Sequence, residues 1–194
     1  MGSRPAPDFP RFIGRLAREL AARRLSFMLI GGQAVLLHGR PRLTEDVDIT
    51  LGVDPSGLPL VREVCGALVL QPLPADPERF VRETFVLPAR HGETGMRVDF
   101  VFSTTPYERQ AIGRAVTVVL GDVPVPFAAA EDLLIHKLFA GRPRDWDDAL
   151  SVVRRKGREL DWDYVERWAR EFAAVPGREE MPQQVARLRA ESTA

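Results

Sequence analysis

Three aspartates and a pair of glycines hold most of the chemistry this sequence can do. Asp46 and Asp48 lie two apart in the run Asp46-Val47-Asp48-Ile49-Thr50-Leu51, where polar and apolar residues alternate. That is the pattern of a half-buried strand, and it projects both carboxylates from one face. Two like charges side by side on a strand repel unless something positive lies between them. Mg²⁺ favours such hard oxygen ligands, taking a few carboxylates together with water and substrate phosphates. A solvated edge strand with its acids outward is the plain alternative for the pair alone. Asp99 shifts the balance: in Arg97-Val98-Asp99-Phe100-Val101-Phe102 it again stands on a polar face above an apolar underside. If the two strands are neighbours, three carboxylates share one surface. A two-metal displacement needs such a set, one ion activating an attacking hydroxyl and the other holding a triphosphate. Gly31-Gly32 closes the apolar run Phe27-Met28-Leu29-Ile30 and opens a short helix. Glycines there admit a ligand close to the backbone, and the N–H groups at a helix start cradle phosphate. A tight corner with no ligand is the commoner use of such a pair taken alone.

The elements that must position these residues follow from periodicity. An amphipathic helix is predicted over residues 9–24, with Phe12, Ile13, Leu16 and Leu20 at helical spacing. Residues 27–30 form a buried strand and 33–38 a short helix, followed by a loop rich in arginine, glycine and proline. After the strand at 46–51 come helices over 58–68 and 77–83. Strands over 84–89 and 96–102 flank the turn at 91–95. Further strands are expected at 116–120 and 123–127. Beyond residue 128 the pattern is helical, over 129–140, 143–155, 161–174 and 182–190. The fold class expected is α/β (α+β): a small twisted mixed sheet with helices on one face and a helical C-terminal part. The division falls at residue 127, giving a core of 1–127 and a helical part of 128–194.

Composition narrows the function classes. The 194 residues carry 27 basic and 27 acidic side chains, a balance that argues against a dedicated nucleic-acid binder and leaves room for a local patch. No DNA partner is expected. The single cysteine, Cys65, permits no internal disulfide and suits a reducing compartment. No stretch reaches membrane-spanning length and the N-terminus has no signal-peptide core, so a cytoplasmic protein with no membrane partner is expected. His38 and His136 have no partners at zinc-ligand spacing. Arg40 and Arg42 stand equally for a phosphate or acceptor contact and for a solvated loop. Lys137 lies among Leu133, Leu134 and Leu138, so its ammonium must reach water or meet an anion. Arg144 and Asp148, four apart on a helix, could simply pair with each other.

The run Leu29-Ile30-Gly31-Gly32-Gln33-Ala34, then Arg42, Thr44 and Asp46-Val47-Asp48-Ile49, and later Val98-Asp99-Phe100, resembles the polymerase-β-like nucleotidyltransferase superfamily. Downstream, Ala130-Glu131-Asp132-Leu133-Leu134-Ile135-His136-Lys137-Leu138 with Arg142, Arg144-Asp145 and Asp148 is similar to the small bacterial group related to the AbiEii toxins. The resemblance spans about residues 27–150. It implies that Gly31 and Gly32 hold nucleotide phosphates, in a nucleotide site that also includes Thr44. Asp46 and Asp48 would bind two Mg²⁺ ions (Mn²⁺ can substitute), and Asp99 would complete the catalytic metal site and assist deprotonation of the acceptor. Lys137 would contact the triphosphate, with Arg144, Asp145 and Asp148 organising the nucleotide pocket.

The reaction so implied moves NMP from an NTP to an acceptor hydroxyl and releases pyrophosphate. The tRNA 3′ end is the first expectation for the acceptor, with a toxin role and a cognate antitoxin partner. A partner protein, as in antitoxin-type enzymes, an aminoglycoside-like small molecule, and a non-catalytic nucleotide-binding module remain as alternatives. A metal-dependent glycosyltransferase is weakened by the Gly-Gly turn ahead of the acids.

Overall fold

A computed structural model describes residues 8–44 and 46–192 of the chain. Its elements are α1 (Phe9–Ala22), β1 (Phe27–Leu29), α2 (Gly31–His38), β2 (Asp46–Leu51), a single 3₁₀ turn (Pro55–Gly57), α3 (Leu58–Ala67), β3 (Leu70–Pro72), α4 (Pro77–Thr84), β4 (Val86–His91), β5 (Arg97–Phe102), α5 (Pro106–Gly113), β6 (Val116–Leu120) and β7 (Val123–Phe127). They continue with α6 (Ala130–Ala140), α7 (Pro143–Lys156), α8 (Trp162–Phe172) and α9 (Met181–Glu191). The α/β class expected from the sequence is the one found. No helix among the described residues is long and apolar enough to cross a membrane.

The chain divides into two compact units. The first, residues 1–29 and 44–127, holds a seven-stranded mixed sheet in the order β3-β4-β5-β2-β1-β7-β6. β2 runs parallel to β5 and β1 parallel to β7, while the other neighbours are antiparallel. Period-two alternation sends Val47, Ile49, Val98, Phe100 and Phe102 to one face, where each is almost wholly buried. Ile49 and Leu87 flank Phe100 on the neighbouring strands, and all three have no exposed surface. Truncating Phe100→Ala at that position is expected to cost about 3–5 kcal/mol, through lost burial and the cavity left behind. Urea unfolding checks this, and a loss under 1 kcal/mol would mean that the sheet's underside is loosely packed.

Two elements of this unit were not anticipated. β3 is a three-residue strand beside β4, too short to carry a periodic signal. α5 opens with a capping box: Thr105 Oγ1 accepts from Tyr107 N at 3.2 Å, and the Glu108 carboxylate accepts from Thr105 N at 2.9 Å, with Pro106 in the first turn. That Thr-Pro-x-Glu signature is legible in the sequence.

The second unit comprises residues 30–43 and 128–194. The sequence division at 127 had placed α2 with the sheet; the structure groups it with the C-terminal helices, because α2 packs on α6 and α7. His38, at the end of α2, donates from Nε2 to the carbonyl of Ala128 at 2.8 Å. Burial pushes its imidazole below the ordinary histidine range. α6 is enclosed on most sides, with Ala130, Asp132, Leu133, Leu134, Ile135, Lys137 and Leu138 all buried.

Candidate active site

The carboxylates come first, because their placement depends only on the sheet. β2 and β5 are parallel neighbours in a register that sets Asp48 opposite Asp99 and Asp46 opposite Arg97. Partners in register point to the same face, so the three acids and one arginine share a surface. On it Asp46 is exposed, and Asp48, Arg97 and Asp99 are partly buried. Thr44 Oγ1 donates to the Asp46 carbonyl at 3.3 Å, at the start of the strand.

Arg97 is the member of this group that sequence reasoning did not assign. Its Nε donates to Asp99 Oδ1 at 2.8 Å. Asp99, and then Asp46 and Asp48, raise the guanidinium pKa above its ordinary value. Arg97 was visible in the alternation as a same-face neighbour of Asp99. Whether it would turn to the acid or to water is not encoded in that spacing.

Among the described residues no three His, Cys, Asp or Glu side chains are gathered closely enough to hold a metal ion. The donor chemistry fits one all the same. The ligands are hard carboxylate oxygens on adjacent strands, and a cation already lies among them in the form of the guanidinium.

In the helical unit, Gly31 heads α2 with φ +61°, a left-handed conformation that glycine adopts without strain. Ile30, the residue before it, makes no side-chain cap, so the first amides of α2 are met by no side chain of that residue. Further along the chain, α6 ends at Gly141, whose N–H closes on the Lys137 carbonyl at 3.0 Å. The turn that follows brings α7 back alongside α6 and sets Asp145 and Asp148 against Lys137. Lys137 Nζ donates to Asp145 Oδ1 at 2.9 Å and to Asp148 Oδ2 at 2.7 Å, and all three side chains are buried. Arg42 holds Asp148 with two parallel bonds of 2.8 Å, and Arg142 Nε donates to Asp145 Oδ2 at 2.6 Å. Burial alone would raise both carboxyl pKa values; hydrogen bonds from Arg142 and Lys137 to Asp145, and from Arg42 and Lys137 to Asp148, outweigh it and hold both below the ordinary range.

Of the candidates named from sequence, Asp46, Asp48 and Asp99 are thus brought together in the sheet unit, with Thr44 at the head of β2. Lys137, Asp145 and Asp148 are brought together in the helical unit, which also holds Gly31 and Gly32. The Arg144–Asp148 pair that helical spacing allows is absent among the described residues, because Asp148 is taken by Arg42 and Lys137. Two of the three N–H donors of Lys137 are committed to carboxylates. Cys65 is buried in α3, and burial pushes its thiol up to about 12.

Comparison with known proteins adds an independent finding. Residues 15–192 match the family model described as nucleotidyl transferase AbiEii toxin, type IV toxin–antitoxin system. A search of curated proteins finds no match in sequence. Among solved structures the antibiotic-resistance factor ANT(2'')-Ia is similar at TM-score 0.59 and 16% identity, over 89% of this chain and 97% of that one. A nucleotidyltransferase of H. pylori, named as putative, aligns at TM-score 0.52 and 12% identity, over 99% and 98%. The lincosamide antibiotic adenylyltransferase LnuA aligns at TM-score 0.51 and 15% identity, over 76% and 96%. At such identities the likeness is one of fold.

Proposed function

The chain belongs to the AbiEii nucleotidyl transferase toxin family, and from that premise we propose that it moves NMP from an NTP to an RNA hydroxyl, at the tRNA 3′ end. Nucleotidyl transfer is the family's activity; the acceptor and the residue roles are our reading. The observation that supports the residue roles is the register of β2 against β5, which sets Asp48 beside Asp99 with Asp46 on the same face.

In this reading Asp46 and Asp48 would hold two divalent ions, Mg²⁺ or Mn²⁺, and Asp99 would complete the site of one. When bound, such ions stabilise the charge on the attacking and leaving oxygens. Asp99 accepts the proton of the acceptor hydroxyl once it has turned from Arg97. Gly31 and Gly32 offer backbone N–H groups to the phosphates, and Thr44 belongs to the same nucleotide site. Lys137 keeps one N–H donor for the triphosphate, and its larger task is to fix Asp145 and Asp148. Arg144 supplies positive charge to the nucleotide. A cognate antitoxin is the partner that a type IV toxin–antitoxin family suggests.

The test is transfer of label from each α-labelled NTP into bacterial tRNA, cell protein and small-molecule acceptors. Label in tRNA supports the reading. Label confined to protein or to an antibiotic overturns the acceptor assignment, and pyrophosphate release with no labelled RNA does the same.

Arg97 gives a separate expectation. A guanidinium among three carboxylates competes with an added cation, so Arg97→Gln is expected to tighten Mn²⁺ binding several-fold, as read by titrating the Mn²⁺ EPR signal. Unchanged affinity would mean that Arg97 does not compete with metal for the acids.

A further inference from the structure

The helical unit contains a cavity of about 700 Å³ whose walls are the segment 39–42 and one side of α7. Five arginines line it, at positions 40, 42, 144, 154 and 155, against two carboxylates, Asp147 and Asp148. Five positive charges less two negative ones leave a local excess of three, in a chain whose 27 basic and 27 acidic residues cancel. The charge is therefore concentrated here while the chain as a whole is neutral.

The walls are built. Gly39 lies so close to α7 that a Cβ on it would meet Ser151 Oγ at 2.4 Å and Val152 Cγ2 at 3.2 Å, so no side chain fits at that position. Arg40 N donates to Ser151 Oγ at 3.1 Å, and Arg155 Nη1 donates to the Gly39 carbonyl at 3.0 Å. These bonds fasten the 39–40 backbone to the helix. Arg42 is already matched by Asp148, whereas Arg40, Arg144 and Arg154 are exposed. Among the described residues Arg40 and Arg144 make no ion pair, and the contact of Arg154 with Glu191 is long, at 3.9 Å.

Arginine forks match phosphate oxygens in geometry and charge. From Arg144 to Arg155 is eleven residues of helix, or about 16 Å at 1.5 Å per residue, which is room for more than one phosphate. The lining includes no aromatic residue and only Pro41 and Leu150 as larger apolar side chains, whereas protein-binding surfaces are centred on aromatic and apolar anchors. The chemistry of the cavity thus favours a phosphodiester strand over an acidic protein.

We propose that this arginine-lined cavity, through Arg40, Arg154 and Arg155, is a binding site for the phosphodiester backbone of the acceptor RNA, adjoining Arg144 and Asp148 of the nucleotide site. The proposal rests on the RNA-acceptor reading given above. Binding here is electrostatic and independent of sequence, so it positions the strand and does not select it.

The experiment measures fluorescence anisotropy of a labelled RNA hairpin ending in single-stranded CCA, titrated with the full-length protein at several salt concentrations. Wild type is compared with Arg40→Gln/Arg154→Gln and Arg40→Lys/Arg154→Lys, each checked for folding by its melting temperature. The glutamine variant is expected to bind at least tenfold more weakly. Its slope of log K against log salt should flatten by about 1.4, at about 0.7 per lost contact to a single strand. The lysine variant should restore that slope, and the thermal shift given by Mg²⁺ with ATP should stay as in wild type. RNA binding and salt slope unchanged in the glutamine variant would overturn the site, even where wild type labels tRNA. Loss of the ATP shift with RNA binding intact would overturn it too, marking Arg40 and Arg154 as part of the nucleotide site. If wild type labels no RNA and binds none, it is the acceptor reading that fails, and the proposal falls with it.

Discussion

Asp46→Asn with Asp48→Asn is expected to reduce nucleotidyl transfer by roughly a thousandfold or more, equivalent to about 4 kcal/mol of transition-state stabilisation. Asparagine preserves the shape of these two side chains while removing the charge that would hold divalent ions. The change should leave the fold intact. Asp46 is exposed and Asp48 only partly buried, and neither supplies the apolar underside of the sheet. Neutralising two same-face acids also relieves their repulsion, so the melting temperature should hold or rise slightly. Transfer of label and release of pyrophosphate, measured beside thermal unfolding, separate the two effects. Residual activity within tenfold of wild type would remove these aspartates from the chemistry.

The second large effect concerns stability. Lys137→Met keeps the aliphatic stem and deletes the ammonium that two buried carboxylates share. Breaking a buried ion pair by removing one partner costs about 3–5 kcal/mol. Arg42 and Arg142 still hold Asp148 and Asp145, so the lower end, roughly 3 kcal/mol, is expected. For a chain of this size that is a fall in melting temperature of roughly 6–12 °C. A loss below 1 kcal/mol would show that the two arginines satisfy the acids without the lysine.

The pH dependence has the same origin. The folded carboxyls of Asp145 and Asp148 lie below their unfolded values. Their contribution is therefore complete above about pH 4 and is lost as the pH falls through the folded values. His136 acts earlier and in the same direction. Burial first, and the Lys137 charge second, lower its imidazole from 6.5 to about 4. The unfolded chain thus takes up that proton first, and up to roughly 3 kcal/mol is lost between pH 6.5 and 4. In the Lys137→Met variant the loss below pH 4 should shrink.

What was legible in the sequence was whatever periodicity encodes. The alternation around Asp48 and Asp99 identified both strands and the acidic face of each, because a period of two leaves no choice of side. It could not state that β2 and β5 are neighbours in parallel register: the two runs are 51 positions apart at Asp48 and Asp99, and strand order is decided by the packing of the whole sheet. The pairing of Arg97 with Asp99 is a choice of side-chain rotamer, which spacing does not settle. Lys137 was legible as an ammonium in need of an anion. Its partners were not, since Arg144–Asp148 competed on helical spacing with the longer-range grip of Arg42 on Asp148. The place of α2 was missed because its apolar residues suit a sheet or a helical layer equally.

The insertion of residues 30–43 into the helical unit has a consequence for synthesis. That unit is assembled from two stretches separated by the 84 residues from 44 to 127. A ribosome adding about 5–20 residues per second takes roughly 4–17 s to make the intervening sheet. Throughout that interval α2 has been made while α6 and α7, the helices it packs on, have not. Arg42 likewise waits for Asp148, so the helical unit can be completed only after the sheet strands have been made. A fragment beginning at residue 128 would lack a helix of its own unit.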